Sequence, residues 1–219
     1  MKIQKLFFSI GLGLTLSTAM VSGQIVLNFS NLGGASIQFN GTASTFEFSP
    51  SPGNQWSVTS ETGGSSALGL QGSFSGGPWT IGSISTPVAG YQTANINASP
   101  SAQLTIYDGA AIPATADVSW VDIYTFGGAG GLNASAVVNL SNLSYAGANA
   151  DLMSFFSSPA GQLVVTWQFN PAKGLTDLTT GTGPYNTSFS GSLTAVPEPG
   201  VLAIFGLGLA LFVRRFFKK

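Results

Sequence analysis

The stretch Asp117-Val118-Ser119-Trp120-Val121-Asp122-Ile123-Tyr124-Thr125-Phe126 decides how this chain folds. Its even positions Val118, Trp120, Tyr124 and Phe126 form an apolar row broken by Asp122, while Val121 and Ile123 give the other row apolar character too. Successive side chains of a β-strand point to opposite faces, so this spacing predicts a strand covered on both sides. Gly127-Gly128 and Gly130-Gly131 end it.

Working outward, the same grammar recurs. Residues 132–140 resume the extended pattern, and Leu163, Val165, Trp167 and Phe169 alternate with Gln162, Thr166 and Gln168 as a second well-marked strand. Between them Asn149 is placed to cap a helix over 150–156, with Leu152, Phe155 and Phe156 at helical spacing and Pro159-Ala160-Gly161 as its stop. Upstream, 35–39 and 44–48 flank Asn40-Gly41, a hairpin turn dipeptide. Further strands are expected at 56–60, 68–74, 79–84 and 103–107, with weaker ones at 175–180 and 188–194. Gly, Pro, Asn and Asp punctuate them throughout, and no internal repeat of fixed period is evident. The expectation is an all-β body: an antiparallel β-sandwich, jelly-roll-like, of about ten to twelve short strands with one short helix.

Charge divides the chain into three parts. Lys2, Lys5, Arg214, Arg215, Lys218 and Lys219 are six of the seven basic residues, so only Lys173 lies in the body. Against it stand Glu47, Glu61, Asp108, Asp117, Asp122, Asp151 and Asp177, a formal net charge of −6 over residues 24–195. Nucleic acid is excluded as a partner, because neutralising phosphates requires Lys and Arg that this surface lacks. A polyanionic glycan is repelled for the same reason. With no cysteine there are no disulfides, and stability rests on burial of the many Phe, Val, Leu and Ile side chains.

The two ends read as addresses. Lys2 and Lys5 precede the apolar run 6–16, and Val21-Ser22-Gly23 supplies small residues, so residues 1–23 read as a secretory signal helix with cleavage between Gly23 and Gln24. At the other end Val196-Pro197-Glu198-Pro199-Gly200 precedes the uncharged apolar run 201–213 and then Arg214-Arg215-Phe216-Phe217-Lys218-Lys219. Thirteen residues of helix rise roughly 20 Å, short of the roughly 30 Å hydrocarbon core. A buried core helix would suit that length; the basic cluster behind it favours a membrane helix with its positive end in the cytoplasm and its side chains reaching the headgroups.

This tail resembles the PEP-CTERM protein-sorting signal of Gram-negative bacteria, over about 25 residues, through the ordered combination of Pro197-Glu198-Pro199, apolar helix and Arg214-Arg215. The rest of the body resembles no family that can be named. The resemblance implies that residues 196–219 are a sorting signal recognised by an exosortase, an integral-membrane processing enzyme, in cells that make exopolysaccharide and biofilm. It also implies an inner-membrane-anchored protein that is moved on to the cell surface or extracellular matrix.

Few catalytic arrangements survive in the body. Histidine and cysteine are absent from the chain and arginine from the body, which removes Ser/His/Asp triads, Cys/His dyads and His-ligated zinc. The Gly-Gly pairs lack the Lys and Ser/Thr of a phosphate loop, and no loop carries the dense Asp/Asn of a calcium site, so no cofactor and no metal is expected. Carboxylate pairs remain, although Asp117 and Asp122 fall on opposite faces of one strand. Trp56 and Trp79, beside Gly/Pro/Asn loops, are candidate glycan-binding platforms, with core packing the competing role; Trp120 and Trp167 are read as core. The leading expectation is thus an exported surface or matrix protein without catalysis of its own. A module binding neutral matrix polysaccharide and a carboxylate-based glycoside-active enzyme are the alternatives.

Overall fold

The computed structural model describes residues 24–51, 53–97, 101–109, 112–126 and 133–196. The signal expected over 1–23 and the membrane helix expected over 201–213 lie outside them. In chain order the elements are β1 (Val26–Asn31), β2 (Ser36–Asn40), β3 (Thr45–Ser49), β4 (Trp56–Thr62), β5 (Gln71–Ser75), β6 (Trp79–Thr80), β7 (Ser85–Val88), β8 (Tyr91–Asn95), β9 (Gln103–Tyr107), β10 (Pro113–Phe126), β11 (Asn133–Ser144), α1 (Ala150–Phe156), β12 (Ala160–Gln168), α2 (Leu175–Thr180), β13 (Tyr185–Thr187) and β14 (Phe189–Val196).

The expected sandwich is corrected to a closed barrel. Eight antiparallel strands run β11-β12-β14-β1-β4-β5-β9-β10, and β10 pairs with β11 to complete the ring. Alternation of apolar and polar residues specifies two faces but not whether the outer edges of a sheet meet. Here they meet because β10 and β11, at 14 and 12 residues, are long enough to serve several neighbours. One edge of β10 carries β9 along its first part and β8 along its last, while the other edge carries β11. Closure leaves no open edge in the ring for another chain to pair with.

Each end of the barrel is covered. A small sheet of order β13-β2-β3-β6 lies over one end through an aromatic layer. Phe39 meets Trp167 at 5.5 Å between ring centroids, Phe46 meets Trp120 at 5.1 Å, and Phe48 meets Phe74 at 4.6 Å and Phe189 at 4.9 Å. The other end is closed by α1, which presents buried Leu152, Phe155 and Phe156. There Gly161 passes close beneath the helix, a Cβ at this position lying 3.3 Å from both Phe155 and Leu140. Asn149 caps α1 as its sequence predicts, its Oδ1 accepting from Leu152 N at 3.1 Å.

A bulge inside β10 overturns the reading of its faces. Trp120 pairs with Val138 and Asp122 with Val137, so Val121 is an extra residue on the β10 side. Such an insertion shifts the alternation by one. Ile123 and Thr125 therefore turn inward, while Tyr124 is half-buried and Phe126 is 61% exposed on the outside. Only one face of this strand is covered. The weak strand expected at 175–180 is likewise corrected to the helix α2. Leu175, Leu178 and Thr179 share its buried face, and the Asp177 carboxylate accepts from the N–H of Gly174 at 3.0 Å to cap it.

The body's two termini leave the barrel side by side. Val26 pairs with Thr194, and Gln24 Nε2 donates to the Ala195 carbonyl at 3.1 Å. Both lie at the end that α1 closes.

Candidate functional site

Trp56 and Trp79 are not surface platforms. They are 0% and 1% exposed, because the strand alternation sends both rings inward although the loops beside them are open to solvent. Trp56 lies against Phe29 at 4.7 Å, and Trp79 packs among Phe46, Phe48 and Trp120 at 5.3, 5.7 and 5.2 Å. Trp120 and Trp167 are also buried. Of the tail, Val196 is the last residue of β14 and is exposed. Pro197, Glu198, Pro199, Arg214, Arg215, Lys218 and Lys219 lie outside the described residues, as does Gly23 on the other side of the expected cut before Gln24.

The surface feature that sequence reasoning missed is a groove of about 1170 Å³ on the outer face of the barrel. It continues into a second hollow of about 400 Å³, with which it shares Ser30, Val164, Thr166 and Ser190. Neither lining contains a charged residue. The register explains its floor. Tyr124 is opposite Ser135, Ser135 opposite Thr166, Thr166 opposite Ser190, and Ser190 opposite Ser30, so five strands contribute one side chain each to a row across the sheet. Thr166 and Ser190 hydroxyls are 3.1 Å apart. Ser135 is only 6% exposed, and its Oγ has no hydrogen-bond partner among the described residues.

One wall of the groove is aromatic. Tyr91 on β8 and Tyr124 on β10 have ring centroids 5.8 Å apart at 32°, with Phe126 6.3 Å from Tyr91 and edge-on. The Val121 bulge creates this wall, since without it Tyr124 and Phe126 would face the barrel interior. No propensity signal marks the bulge. The hydroxyl row is equally hidden in the sequence, being spread over positions 30, 124, 135, 166 and 190 that only strand pairing brings together.

A polar hub occupies the opposite end of the barrel. The Asp151 carboxylate, in the first turn of α1, accepts from the Ser66 N–H at 2.5 Å, the Ser66 hydroxyl at 2.6 Å and the Ala67 N–H at 3.2 Å. Glu61 Oε2 accepts from the same Ala67 N–H at 3.2 Å. Burial, followed by the charge of Asp151, raises the Glu61 carboxyl above the usual carboxylate range. Burial alone would also raise Asp151, but the Ser66 and Ala67 hydrogen bonds and that from Glu61 outweigh it and hold Asp151 below that range. The two shifts are opposite in sign, each carboxyl acting on the other. Glu61 Oε1 is buried with no hydrogen-bond partner among the described residues. Nearby, Tyr145 donates to Asp108 at 2.8 Å and accepts from the Asn149 N–H at 2.9 Å; burial raises its phenol above the ordinary value.

The remaining acids are dispersed. Asp117 accepts from Asn142 Nδ2 at 2.6 Å on the outer surface, and Asp122 is half-buried beside Asn95 and Val137. Among the described residues no three His, Cys, Asp or Glu side chains come together as a metal cage.

A family model described as the PEP-CTERM protein-sorting motif matches residues 195–219. No curated protein and no solved structure matches the chain. The motif marks an exported protein that is membrane-associated until an exosortase processes it.

Proposed function

We propose that this chain is a cell-surface or extracellular-matrix protein, associated with biofilm exopolysaccharide and without catalysis of its own. The segment 1–23 is removed ahead of Gln24, and the helix 201–213 holds the barrel outside the inner membrane with Arg214, Arg215, Lys218 and Lys219 on the cytoplasmic side. The exosortase then releases or transfers the body by acting near Pro197-Glu198-Pro199. The observation that carries this reading is the sorting motif at 195–219.

Two features support it. Residues 24 and 195 are joined at one end of the barrel, so an entering signal and a departing anchor approach the membrane from the same side, and the opposite end is presented outward. The chain has no histidine or cysteine, and the carboxyl groups brought together, Glu61 and Asp151, are occupied by backbone amides and by each other rather than facing a cleft.

Mass spectrometry of the native surface protein tests it. The expected product begins at Gln24 and lacks the basic cluster, and replacing Pro197, Glu198 and Pro199 by alanine leaves the tail attached in the membrane fraction. A surface product running from Met1 to Lys219 would sink the proposal.

A further inference from the structure

We propose that the outer groove binds a single chain of a neutral polysaccharide, one sugar ring lying on the Tyr91–Tyr124 wall and the chain running across the strands along Ser135, Thr166, Ser190 and Ser30. Three observations point to this occupant. First, the lining carries no charge while the body as a whole is acidic by six units, so a polyanion is repelled and a cationic segment finds no counter-ion within the groove. Second, the two kinds of surface present are the two that a sugar needs. Aromatic faces pack against the apolar C–H face of a pyranose ring, and hydroxyl side chains both donate to and accept from its hydroxyl groups. An apolar peptide would leave the buried Ser135 hydroxyl unpaired.

Third, the row has the repeat of a chain. Neighbouring strands lie roughly 4.8 Å apart, so Tyr124, Ser135, Thr166, Ser190 and Ser30 present one group per step at about the advance of a hexose unit in an extended β-linked glycan. Within that row Ser135 is the group whose buried hydroxyl has no described partner, and rotation about its Cα–Cβ bond directs Oγ toward the groove it lines. The location suits such a ligand. Ser30 is six residues along β1 from Gln24, roughly 20 Å toward the outward end at about 3.3 Å per residue.

The proposal goes beyond exosortase sorting and does not depend on it, because binding is measured on purified protein. The full-length chain in detergent is titrated calorimetrically with cellohexaose and laminarihexaose as neutral β-linked probes, and with polygalacturonate as the anionic one. At least one neutral hexasaccharide is expected to bind, and Tyr124→Ala to weaken it about tenfold, as loss of a central aromatic contact does. Thr166→Arg, at an exposed position that tolerates a long side chain, is expected to abolish binding while leaving the thermal midpoint near wild type. Ser119→Arg, exposed on β10 outside the groove, is expected to bind as wild type. Failure of both neutral probes, unchanged affinity in Tyr124→Ala and folded Thr166→Arg, or equal affinity for polygalacturonate would each overturn the proposal and leave the sorting reading untouched.

Discussion

Ser66 donates both its backbone N–H and its hydroxyl to one oxygen of Asp151, at 2.5 and 2.6 Å, and thereby ties the loop after β4 to the first turn of α1. The tie is reciprocal, because the Ser66 hydroxyl also accepts from the Asp151 N–H at 3.1 Å and the Ser66 carbonyl accepts from Asn149 Nδ2 at 2.7 Å. Since α1 closes one end of the barrel, the tie holds a lid. Ser66→Ala removes one exposed residue's hydroxyl from this set and should cost about 0.5–1.5 kcal/mol, whereas Asp151→Ala strands several donors at once and should cost about 3 kcal/mol or more. Urea denaturation of the two variants checks the order; equal losses would show that Asp151 is not the centre of the hub.

The hub also predicts a pH profile with two sides. Asp151 has its folded pKa lowered, so its contribution is present above the ordinary carboxylate range and is lost as pH falls through the lowered value. Glu61 has its folded pKa raised, so its contribution is full below the ordinary value and is lost as pH rises through the raised one. Denaturation midpoints measured from acid to neutral pH should therefore fall on both sides of an acidic maximum. Glu61→Gln should flatten the rise-side loss, since an amide keeps a donor to Asp151 at every pH. A Glu61→Gln profile superimposable on wild type would remove Glu61 from the account.

Deleting Val121 tests the bulge that aims the aromatic wall. Without the extra residue Trp120 and Asp122 become direct neighbours that still face Val138 and Val137, so Ile123 and Thr125 stay inward and Tyr124 and Phe126 stay outward. The deletion is therefore expected to fold, with a loss of about 1–3 kcal/mol from straightening the strand. Val121→Thr keeps the bulge at an exposed site and should stay within about 0.5 kcal/mol of wild type. A deletion variant that fails to fold would mark Val121 as an ordinary ladder residue and contradict the register.

What the sequence discloses and what it hides follow from this same strand. Trp120 and Val118 were legible as core, as were the pairs Ile37/Phe39 and Phe46/Phe48, because two-residue alternation reports burial directly over short uninterrupted runs. The α1 cap was legible because Asn149, the apolar spacing and the Pro159-Ala160-Gly161 stop agree locally. Closure of the barrel was not, since it depends on β1 meeting β14 from the far end of the body and on β5 meeting β9. Nor was the groove, whose row is spread over five strands and includes Tyr124, a residue that alternation alone assigns to the apolar face. Exposure of Trp56 was misjudged for a related reason: its neighbouring loop is polar, but its own parity on β4 points at the core.

Gly72 and Gly33 make a matched pair for checking that core. A Cβ on Gly72 would lie 2.2 Å from the Trp56 ring, which is fixed in turn by Phe29 and Phe74 at 4.7 and 5.8 Å, so it has nowhere to retreat. Gly33 has no atom within 4 Å of the corresponding point and needs no left-handed backbone. Gly72→Ala should therefore cost about 1–3 kcal/mol by overpacking, while Gly33→Ala should be neutral or stabilise by a few tenths to about 1 kcal/mol by restricting the unfolded chain. Because all four tryptophans are buried, wild-type emission should be blue-shifted and resist acrylamide quenching; in Gly72→Ala the displaced Trp56 should become the quenchable one. Indistinguishable stability and quenching in the two variants would mean that Trp56 is not held against Gly72.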